Sequence, residues 1–422
     1  MKSGRVGLLC NHAAWHLQTG EYLFETLFRR GVLKRVFLPE HGLFGELQDQ
    51  VKLDGRELYP ELGLKGCEFV SLYGSDESSL SARPEKLVDL DALVIDIQDV
   101  GSRYYTYFST MRNLFVTLAK ENIPLPVWII DRENPAGFTV EGSRLKKEYA
   151  SFIGIEGLPH RHGLTIGEMA FYFHSRAKAA HGARFPLHVV SHTSSAGDTR
   201  SAGDTRSADK TGAASSAGER FYPWTIPPSP NIPGFYTCDF YSGQCLWEGT
   251  NVSEGRGTTR PFETFGAPWM ESLVAYNRNA GRESWNEEGH PLFDTGAALR
   301  WQRFIPTFHK YSGESCFGFQ LIRRHGAYHA LFHALRIIRF LGENCEAFAF
   351  RPGKYEAGND RTAIELLAGD AALLSYLRGE GVEEGELLEL FKKEEAAWIE
   401  EAREYRLYEE PLKSAAALYN LN

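Results

Sequence analysis

Cysteine is scarce in this 422-residue sequence, and none of its 6 cysteines belongs to a paired motif. No Cys-x-x-Cys pair and no zinc-like spacing occurs, so we expect reduced cysteines and no disulfide framework. His160 and His162 form a His-x-His pair of the kind found in metal sites, but no third ligand is placed by spacing. We therefore predict no metal.

Positive charge is also in short supply, and long apolar runs are missing. Lys and Arg number 46 against 55 Asp and Glu, giving a net charge of −9. Nucleic acid is therefore not expected as a partner, because phosphate binding needs a basic face. No apolar run approaches the ~20 residues that cross a bilayer, so no membrane partner is expected either.

The apolar stretch at 6–10 is too short for the core of a signal peptide. Because no signal peptide is visible in it, the sequence as given predicts a cytoplasmic protein. A start site placed too late would hide a signal and make the protein secreted or periplasmic.

Three sequence motifs of nucleotide and esterase chemistry are absent as well. Neither Gly-x-Gly-x-x-Gly nor Gly-x-x-x-x-Gly-Lys-[Ser/Thr] occurs at a strand-to-helix turn, so neither a dinucleotide site nor a P-loop is predicted. The Gly-x-Ser-x-Gly elbow of α/β-hydrolase esterases is missing too. We expect no cofactor.

The first half of the sequence alternates between short apolar runs and helical patterns. That alternation is typical of βαβ units and predicts an α/β fold, a Rossmann-like catalytic domain with a parallel sheet. Strands are predicted at 5–10, 34–38, 68–73, 92–97, 126–130 and 186–191. Helices are predicted at 21–30, at 106–121 and, after a capping box at 165–168, up to 178.

The chain is long enough for two domains of unequal size. We place the Rossmann-like catalytic domain at 1–285 and a smaller auxiliary α+β domain at 286–422, with a strand at 316–322 and helices at 327–341 and 383–408. The stretch 193–219 repeats Ser-Ala-Gly-Asp-Thr-Arg and is poor in apolar residues, so we predict a disordered insertion. Residues 222–269, dense in Gly, Pro and aromatic residues, are predicted to be too irregular for a helix.

Three polar clusters follow predicted strands, each at the carboxyl end of its strand. They are residues 39–42, 98–103 and 131–135. Ligands of open α/β sheets bind outside the carboxyl ends of the strands. The three clusters therefore predict one site.

The first cluster contains the leading catalytic candidate, Glu40, with His41 beside it as a substrate-binding candidate. Neighbouring glycines permit close approach of a ligand to the backbone. The alternative is that Glu40 only caps a turn. Asp96 lies within the most apolar predicted strand and is a second catalytic candidate, or else a structural partner of Arg103.

The richest polar stretch is 248–263. It contains a third catalytic candidate, Glu254, and two arginines, Arg256 and Arg260, spaced to flank an anion. A solvated loop is the alternative. The further substrate-binding candidates are Gln98, Arg103, Tyr105, Asp131, Arg132, Asn134, His162 and Asn251.

Taken together, these segments resemble the NamZ-like exo-β-N-acetylmuramidases, a glycoside hydrolase family long catalogued as a domain of unknown function. The matching segments run in chain order: PEHGLFG (39–45), DIQDVGSRYYTY (96–107), DRENP (131–135), HGLTIGE (162–168), PPSPNIP (227–233), EGTNVSEGRGTTRPFETFGAPW (248–269) and AGNDR (357–361). Two features depart from the family: no export signal precedes the first strand, and the 193–219 stretch is private to this sequence.

The resemblance implies a Rossmann-like catalytic domain with a smaller auxiliary domain. It also implies removal of N-acetylmuramic acid from the non-reducing ends of peptidoglycan fragments, with Glu40 as the leading catalytic residue. The implied partners are peptidoglycan-derived muramyl oligosaccharides.

Glycoside cleavage needs an acid for the leaving oxygen and a second group that stabilises or attacks the oxocarbenium-like centre. We assign the first role to Glu40 and leave the second open between Asp96, Glu254 and the 2-acetamido group of the substrate. An arginine at 103, 256 or 260 is expected to bind the lactyl carboxylate. Two alternatives stay open: a non-catalytic cell-wall glycan-binding protein, and a hexosaminidase for another amino sugar.

Overall fold

The computed structural model describes residues 4–48, 58–74, 77–192, 199–201, 226–282, 284–356 and 359–419. Its strands are β1 (Val6–Cys10), β2 (Trp15–His16), β3 (Glu21–Tyr22), β4 (Leu33–Leu38), β5 (Glu68–Ser71), β6 (Ala92–Asp96), β7 (Val127–Ile130), β8 (Thr139–Val140), β9 (Leu187–Val190), β10 (Thr199–Ser201), β11 (Thr264–Ala267), β12 (Ala297–Phe304), β13 (Cys316–Arg323) and β14 (Lys413–Ser414). Its α-helices are α1 (Leu23–Arg29), α2 (Tyr107–Lys120), α3 (Ile166–His181), α4 (Phe235–Gln244), α5 (Ser272–Asn279), α6 (Ala330–Asn344), α7 (Ala363–Ala368), α8 (Ala371–Arg378), α9 (Glu384–Ala402) and α10 (Ala415–Leu418).

A central sheet of seven strands in the order β10-β9-β7-β6-β1-β4-β5 organises the N-terminal half. Six of these strands are parallel, and β10 runs antiparallel to β9 at one edge. The chain proceeds from β1 outward to β4 and β5 on one side, and later to β6, β7 and β9 on the other. Open α/β sheets bind ligands at such a switch in strand order. The predicted α/β fold with a Rossmann-like parallel sheet is confirmed.

The central strands are mostly apolar because both faces of the sheet are covered. Alternate residues of a strand point to opposite faces. Leu9 of β1 and Phe37 of β4 belong to the large core on one face. Leu8 and Val36, their neighbours in the chain, belong to the smaller core on the other face, where α1 packs.

The helix α3 begins at the predicted capping box. The Thr165 hydroxyl accepts a hydrogen bond from the Glu168 amide (3.2 Å), and the Glu168 carboxylate accepts one from the Thr165 amide (3.0 Å). Two of the amides that a helix N-terminus leaves without partners are satisfied in this way. The helix ends at Gly182, which has a positive φ of 69°. The predicted start of this helix is confirmed.

A second layer is built around the antiparallel sheet β11-β13-β12 and the long helix α6. The prediction that 222–269 is too irregular for a helix is wrong in its middle, where α4 forms. Tyr241 and Phe240 of α4 are buried. A Cβ at Gly243 would meet the Ala330 carbonyl oxygen at 2.2 Å, so the glycine that suggested a loop instead permits close packing of α4 against α6.

Of the predicted disordered insertion, the structure describes β10 alone, which pairs with β9. The rest of that prediction lies outside the described residues.

The sheet β11-β13-β12 takes one strand from before residue 285 and two from after it. The division into domains at 285 stays a prediction.

The 6 cysteines are free thiols, and all but Cys67 are buried. In the described ranges, none of the helices combines the length and the apolar character that a membrane span requires.

Candidate active site

Glu40 lies in the turn that follows β4, next to the switch point of the sheet. It is 6% exposed, and its carboxylate accepts a hydrogen bond from the Thr106 hydroxyl (2.7 Å), at the N-terminus of α2. The next residue, His41, has a φ of 73°, a left-handed conformation that costs free energy in a residue other than glycine. The imidazole Nδ1 of His41 hydrogen-bonds to the Leu47 carbonyl (2.9 Å). Backbone strain of this kind is concentrated at functional sites.

Glu40 and His41 line a cavity of about 1490 Å³, called the Glu40 cavity below. Its walls come from α2 and α3, from residues 150–156, from α4 and from the loops around Glu248 and Tyr355. Of the predicted substrate-binding residues, Tyr105 and Arg256 also line it. The N-terminal and C-terminal halves of the chain therefore share one cavity.

Three glutamates that the sequence analysis did not select share this cavity with Glu40: the exposed Glu156, and Glu248 and Glu356, which are hydrogen-bonded to neighbouring groups. Glu248 accepts hydrogen bonds from the guanidinium of Arg256 (2.7 Å) and from the Tyr355 hydroxyl. Glu356 accepts one from the Ile153 amide (2.9 Å). Burial raises the pKa of Glu356, and the negative charge of Glu40 adds to the effect.

The sequence contained a weak signal for Glu248 and Glu356. Glu248 begins the richest polar stretch, and Glu356 directly precedes the AGNDR segment. Neither follows a strand of the parallel sheet, so the carboxyl ends of the predicted strands do not point to them.

The other two catalytic candidates lie outside the cavity lining and are paired with cations. Asp96 accepts a hydrogen bond from Arg132 (2.7 Å), so the prediction that Arg103 is its partner is wrong. Glu254 is fully buried between Lys310 (2.9 Å) and His309 (2.8 Å). Although burial opposes ionisation, these partners hold the pKa of Glu254 well below its usual range.

The three arginines expected to bind an anionic group have different surroundings. Arg103 is fully buried, donates to the carbonyls of Leu367 and Ala368 (both 2.9 Å), and has a pKa that burial lowers to about 10. Arg260 projects outward and pairs with Glu263 (3.1 Å). Arg256 alone among the three lines the Glu40 cavity.

The side chains of the third polar cluster make hydrogen bonds to both backbone and side-chain groups around them. Asp131 accepts hydrogen bonds from the Gly167 amide (2.7 Å), the Thr165 hydroxyl (2.9 Å) and the Tyr408 hydroxyl (2.5 Å). Burial raises the pKa of Asp131 to about 7. Arg132, besides pairing with Asp96, donates to the carbonyl of Ala13 (2.8 Å). These contacts connect the strand end to the start of α3.

Four further candidates also make backbone hydrogen bonds outside the cavity lining. Asn134 donates to the Leu164 carbonyl (3.0 Å), and the His162 Nδ1 accepts from the Leu164 amide (3.1 Å). Gln98 donates to the carbonyl of Glu133 (3.1 Å). Asn251 bridges a loop by donating to the Ala347 carbonyl (2.7 Å). Their roles as substrate ligands stay predictions.

His160 of the His-x-His pair is fully buried beside Arg103, with 2.9 Å between the Arg103 guanidinium and the His160 Nε2. Burial and the positive charge of Arg103 lower the pKa of His160 well below its usual value. Over the described parts of the chain, no group of three His, Cys, Asp or Glu side chains is arranged to hold a metal ion.

Two family models match the chain over nearly its whole length. The N-terminal model of exo-beta-N-acetylmuramidase NamZ matches residues 6–235, and the C-terminal model matches residues 240–408. The chain belongs to the NamZ family. The family resemblance predicted from the sequence motifs is confirmed.

A curated NamZ relative and two solved structures agree with that membership. The relative is the peptidoglycan beta-N-acetylmuramidase NamZ of Bacillus subtilis (strain 168), which is 34% identical over 325 residues, 76% of this chain and 68% of that protein. Crystal structures of two DUF1343 family proteins from Bacteroides fragilis NCTC 9343 share the fold, with TM-scores of 0.68 and 0.63. Each of the two is 23% identical to this protein in sequence, and each match covers 96% of this chain and 94% of the crystallised chain.

Proposed function

We propose that this protein is an exo-acting glycoside hydrolase that releases N-acetylmuramic acid from the non-reducing ends of peptidoglycan fragments. The observation that carries the proposal is the position of Glu40. Its carboxylate is nearly buried, held by Thr106, and lies in a cavity lined by residues of both matched regions. In this proposal Glu40 gives its proton to the leaving glycosidic oxygen.

The second role needs a group that stabilises or attacks the anomeric carbon as positive charge develops there. Asp96 and Glu254 lie outside the cavity lining, and each is paired with cations. Glu248 is held in an ion pair with Arg256. We assign the second role to Glu356, because its partly buried side chain lines the same cavity as Glu40. The 2-acetamido group of the substrate is the alternative.

Arg256 is our choice for the side chain that recognises the lactyl carboxylate of N-acetylmuramic acid. Its guanidinium lies 5.0 Å from the ring centre of Phe262, and Glu248 positions it from one side. Arginine binds carboxylates through paired N–H groups, which gives the contact a direction as well as a charge. This choice reconciles an anionic substrate with a protein of net charge −9.

The test uses purified protein and a peptide-free disaccharide with N-acetylmuramic acid linked to N-acetylglucosamine. We expect release of free N-acetylmuramic acid, measured by mass spectrometry. Glu40→Gln keeps the size of the side chain and removes the acid, so its rate should fall by about 100-fold or more. Glu61→Gln is the matched control, because Glu61 is exposed and lies outside the cavity lining.

Three outcomes would contradict the proposal. Binding of the disaccharide without turnover would indicate a glycan-binding protein. Faster cleavage of chains that begin with N-acetylglucosamine would indicate a hexosaminidase for another amino sugar. Full activity in Glu40→Gln would remove Glu40 from the chemistry.

A further inference from the structure

One face of α2 lines the Glu40 cavity along the whole helix. Thr106, Ser109, Arg112, Val116 and Lys120 are all in its wall, and they follow one another at spacings of three or four residues, which places them on one side of a helix. Thr106 holds Glu40 at one end of this stripe. At about 1.5 Å per residue, Lys120 at the other end lies roughly 20 Å further along the helix axis.

The helix α3 supplies a second stripe beside the first. Phe173, Arg176 and Ala180 line the same cavity at spacings of three and four residues. The two helices are packed together through the rings of Phe108 and Phe173, whose centres lie 6.1 Å apart. We call this part of the Glu40 cavity the α2–α3 arm, lined by Arg112, Val116 and Lys120 and by Phe173, Arg176 and Ala180.

Positive charge predominates in the α2–α3 arm. Arg112, Lys120 and Arg176 line it and are exposed, while Glu156 on the facing segment contributes one negative charge. Arg176 has a carboxylate partner in Glu401 at 3.8 Å. Arg112 donates to Asn113 (3.2 Å), and no ion pair joins it to a carboxylate within the part of the chain that the structure describes.

Arg112 and Arg176 line the same arm, and their positive charges repel each other. Partial desolvation and the charge of Arg176 both lower the pKa of Arg112. An anion bound between two like charges relieves their repulsion, so such a pair favours anionic ligands.

Given the function proposed above, we propose that the α2–α3 arm binds the leaving-group side of the sugar chain and selects chains that carry carboxylates there. A peptide-free glycan of alternating N-acetylglucosamine and N-acetylmuramic acid has such carboxylates on its further muramyl units. The sugar to be released lies at Glu40, and the rest of the chain follows the stripe of α2. Arg112 and Arg176 contact the lactyl carboxylate of the chain and act on affinity rather than on bond cleavage.

Two substrates separate this role from catalysis. In the muramyl disaccharide the leaving group is neutral, whereas in the peptide-free tetrasaccharide with muramyl units at its first and third positions it carries a carboxylate. For the double variant Arg112→Ala/Arg176→Ala we expect kcat/KM on the tetrasaccharide to fall roughly fivefold to tenfold, because KM rises. The value of kcat/KM on the disaccharide should stay within about twofold of the wild-type value. Lys178→Ala is the control, since Lys178 is on α3 but outside the cavity lining.

Equal loss on both substrates, or no loss on either, would overturn the proposal. Calorimetric binding of the tetrasaccharide to Glu40→Gln protein tests the arm without turnover. There the two arginine substitutions should weaken binding by the same factor, and higher salt should reduce the difference. Unchanged affinity, or no binding at all, would overturn it as well. If wild-type protein binds the tetrasaccharide through these arginines but releases no N-acetylmuramic acid, the proposed activity fails and the arm stands.

Discussion

At the scale of single residues, the surroundings of each carboxyl group decide what that group can do. Asp131 and Glu254 are both buried, yet burial raises the pKa of the first to about 7, and cations keep the pKa of the second well below its usual range. Glu356 is a third case. It shares the Glu40 cavity, where burial and the nearby charge of Glu40 raise its pKa.

If Glu356 acts in its ionised form, the rate should depend on pH in a definite direction. Its raised pKa means that the ionised fraction falls as the pH is lowered through that value, so kcat/KM should rise with pH on the acidic limb. Glu356→Gln should be about 100-fold slower near neutral pH and should lose this limb. The measurement is kcat/KM on the muramyl disaccharide between pH 3 and pH 8.

A purely structural role for Glu356 predicts a different result. The glutamine can still accept the hydrogen bond from the Ile153 amide. A Glu356→Gln protein with wild-type rates and an unchanged acidic limb would therefore show that Glu356 only anchors the segment 151–153. The second catalytic role would then pass to the 2-acetamido group of the substrate.

At the scale of elements, the N-terminus of α3 depends on an unusually close approach. Gly167, the second residue of α3, brings the helix against β9 and against Asp131. A Cβ at this position would meet Val189 at 2.6 Å and the Asp131 carboxyl carbon at 2.7 Å. Gly385 is also the second residue of its helix, α9, but a Cβ there would meet nothing within 4 Å.

These two glycines form a matched pair for the same substitution. Gly385→Ala should raise the free energy of unfolding by up to about 1 kcal/mol, because alanine loses less backbone entropy than glycine on folding. Gly167→Ala should lower it by about 1–3 kcal/mol, because the added methyl group overpacks the contact with Asp131 and Val189. Urea denaturation measures both. A stabilised Gly167→Ala protein would show that the helix start adjusts at little cost.

At the scale of the whole molecule, Glu395 of α9 joins distant segments of the chain. One carboxylate oxygen accepts from the Gly142 amide (2.8 Å) and lies 3.0 Å from the His329 Nε2, beside the start of α6. The other accepts from the Ser414 hydroxyl (2.6 Å) and the Ala416 amide (2.9 Å) near the C-terminus. Although burial opposes the charge, Glu395 raises the pKa of the fully buried His329.

Removing the charge of Glu395 should weaken the attachment of the C-terminal segment. We expect Glu395→Gln to lower the free energy of unfolding by about 3 kcal/mol, because it leaves buried partners without their anion. Glu400→Gln on the same helix is exposed and should change it by less than about 0.5 kcal/mol. Denaturant midpoints measure both, and faster amide exchange at Ala416 should accompany the loss. Equal stabilities of the two variants would contradict this role.

Local patterns were sufficient for much of the fold. The mostly apolar runs that form β1, β4 and β6 were predicted to within one residue at each end, because a strand covered on both faces needs mainly apolar side chains. The capping box at Thr165 depends on four consecutive residues, so the start of α3 could also be predicted from the local sequence. The helix α4 was missed because its glycine serves a contact with α6 that no local pattern reveals.

The amino-acid sequence by itself therefore determined the parallel sheet, the helix start at Thr165 and, through its motifs, membership of the NamZ family. Only the tertiary structure decided which charged groups meet. It paired Asp96 with Arg132, surrounded Arg103 with carbonyl groups, and brought Glu356 into the cavity of Glu40. The reason is physical: strands and caps follow from neighbours in the chain, whereas partners of buried charges are set by packing between distant segments.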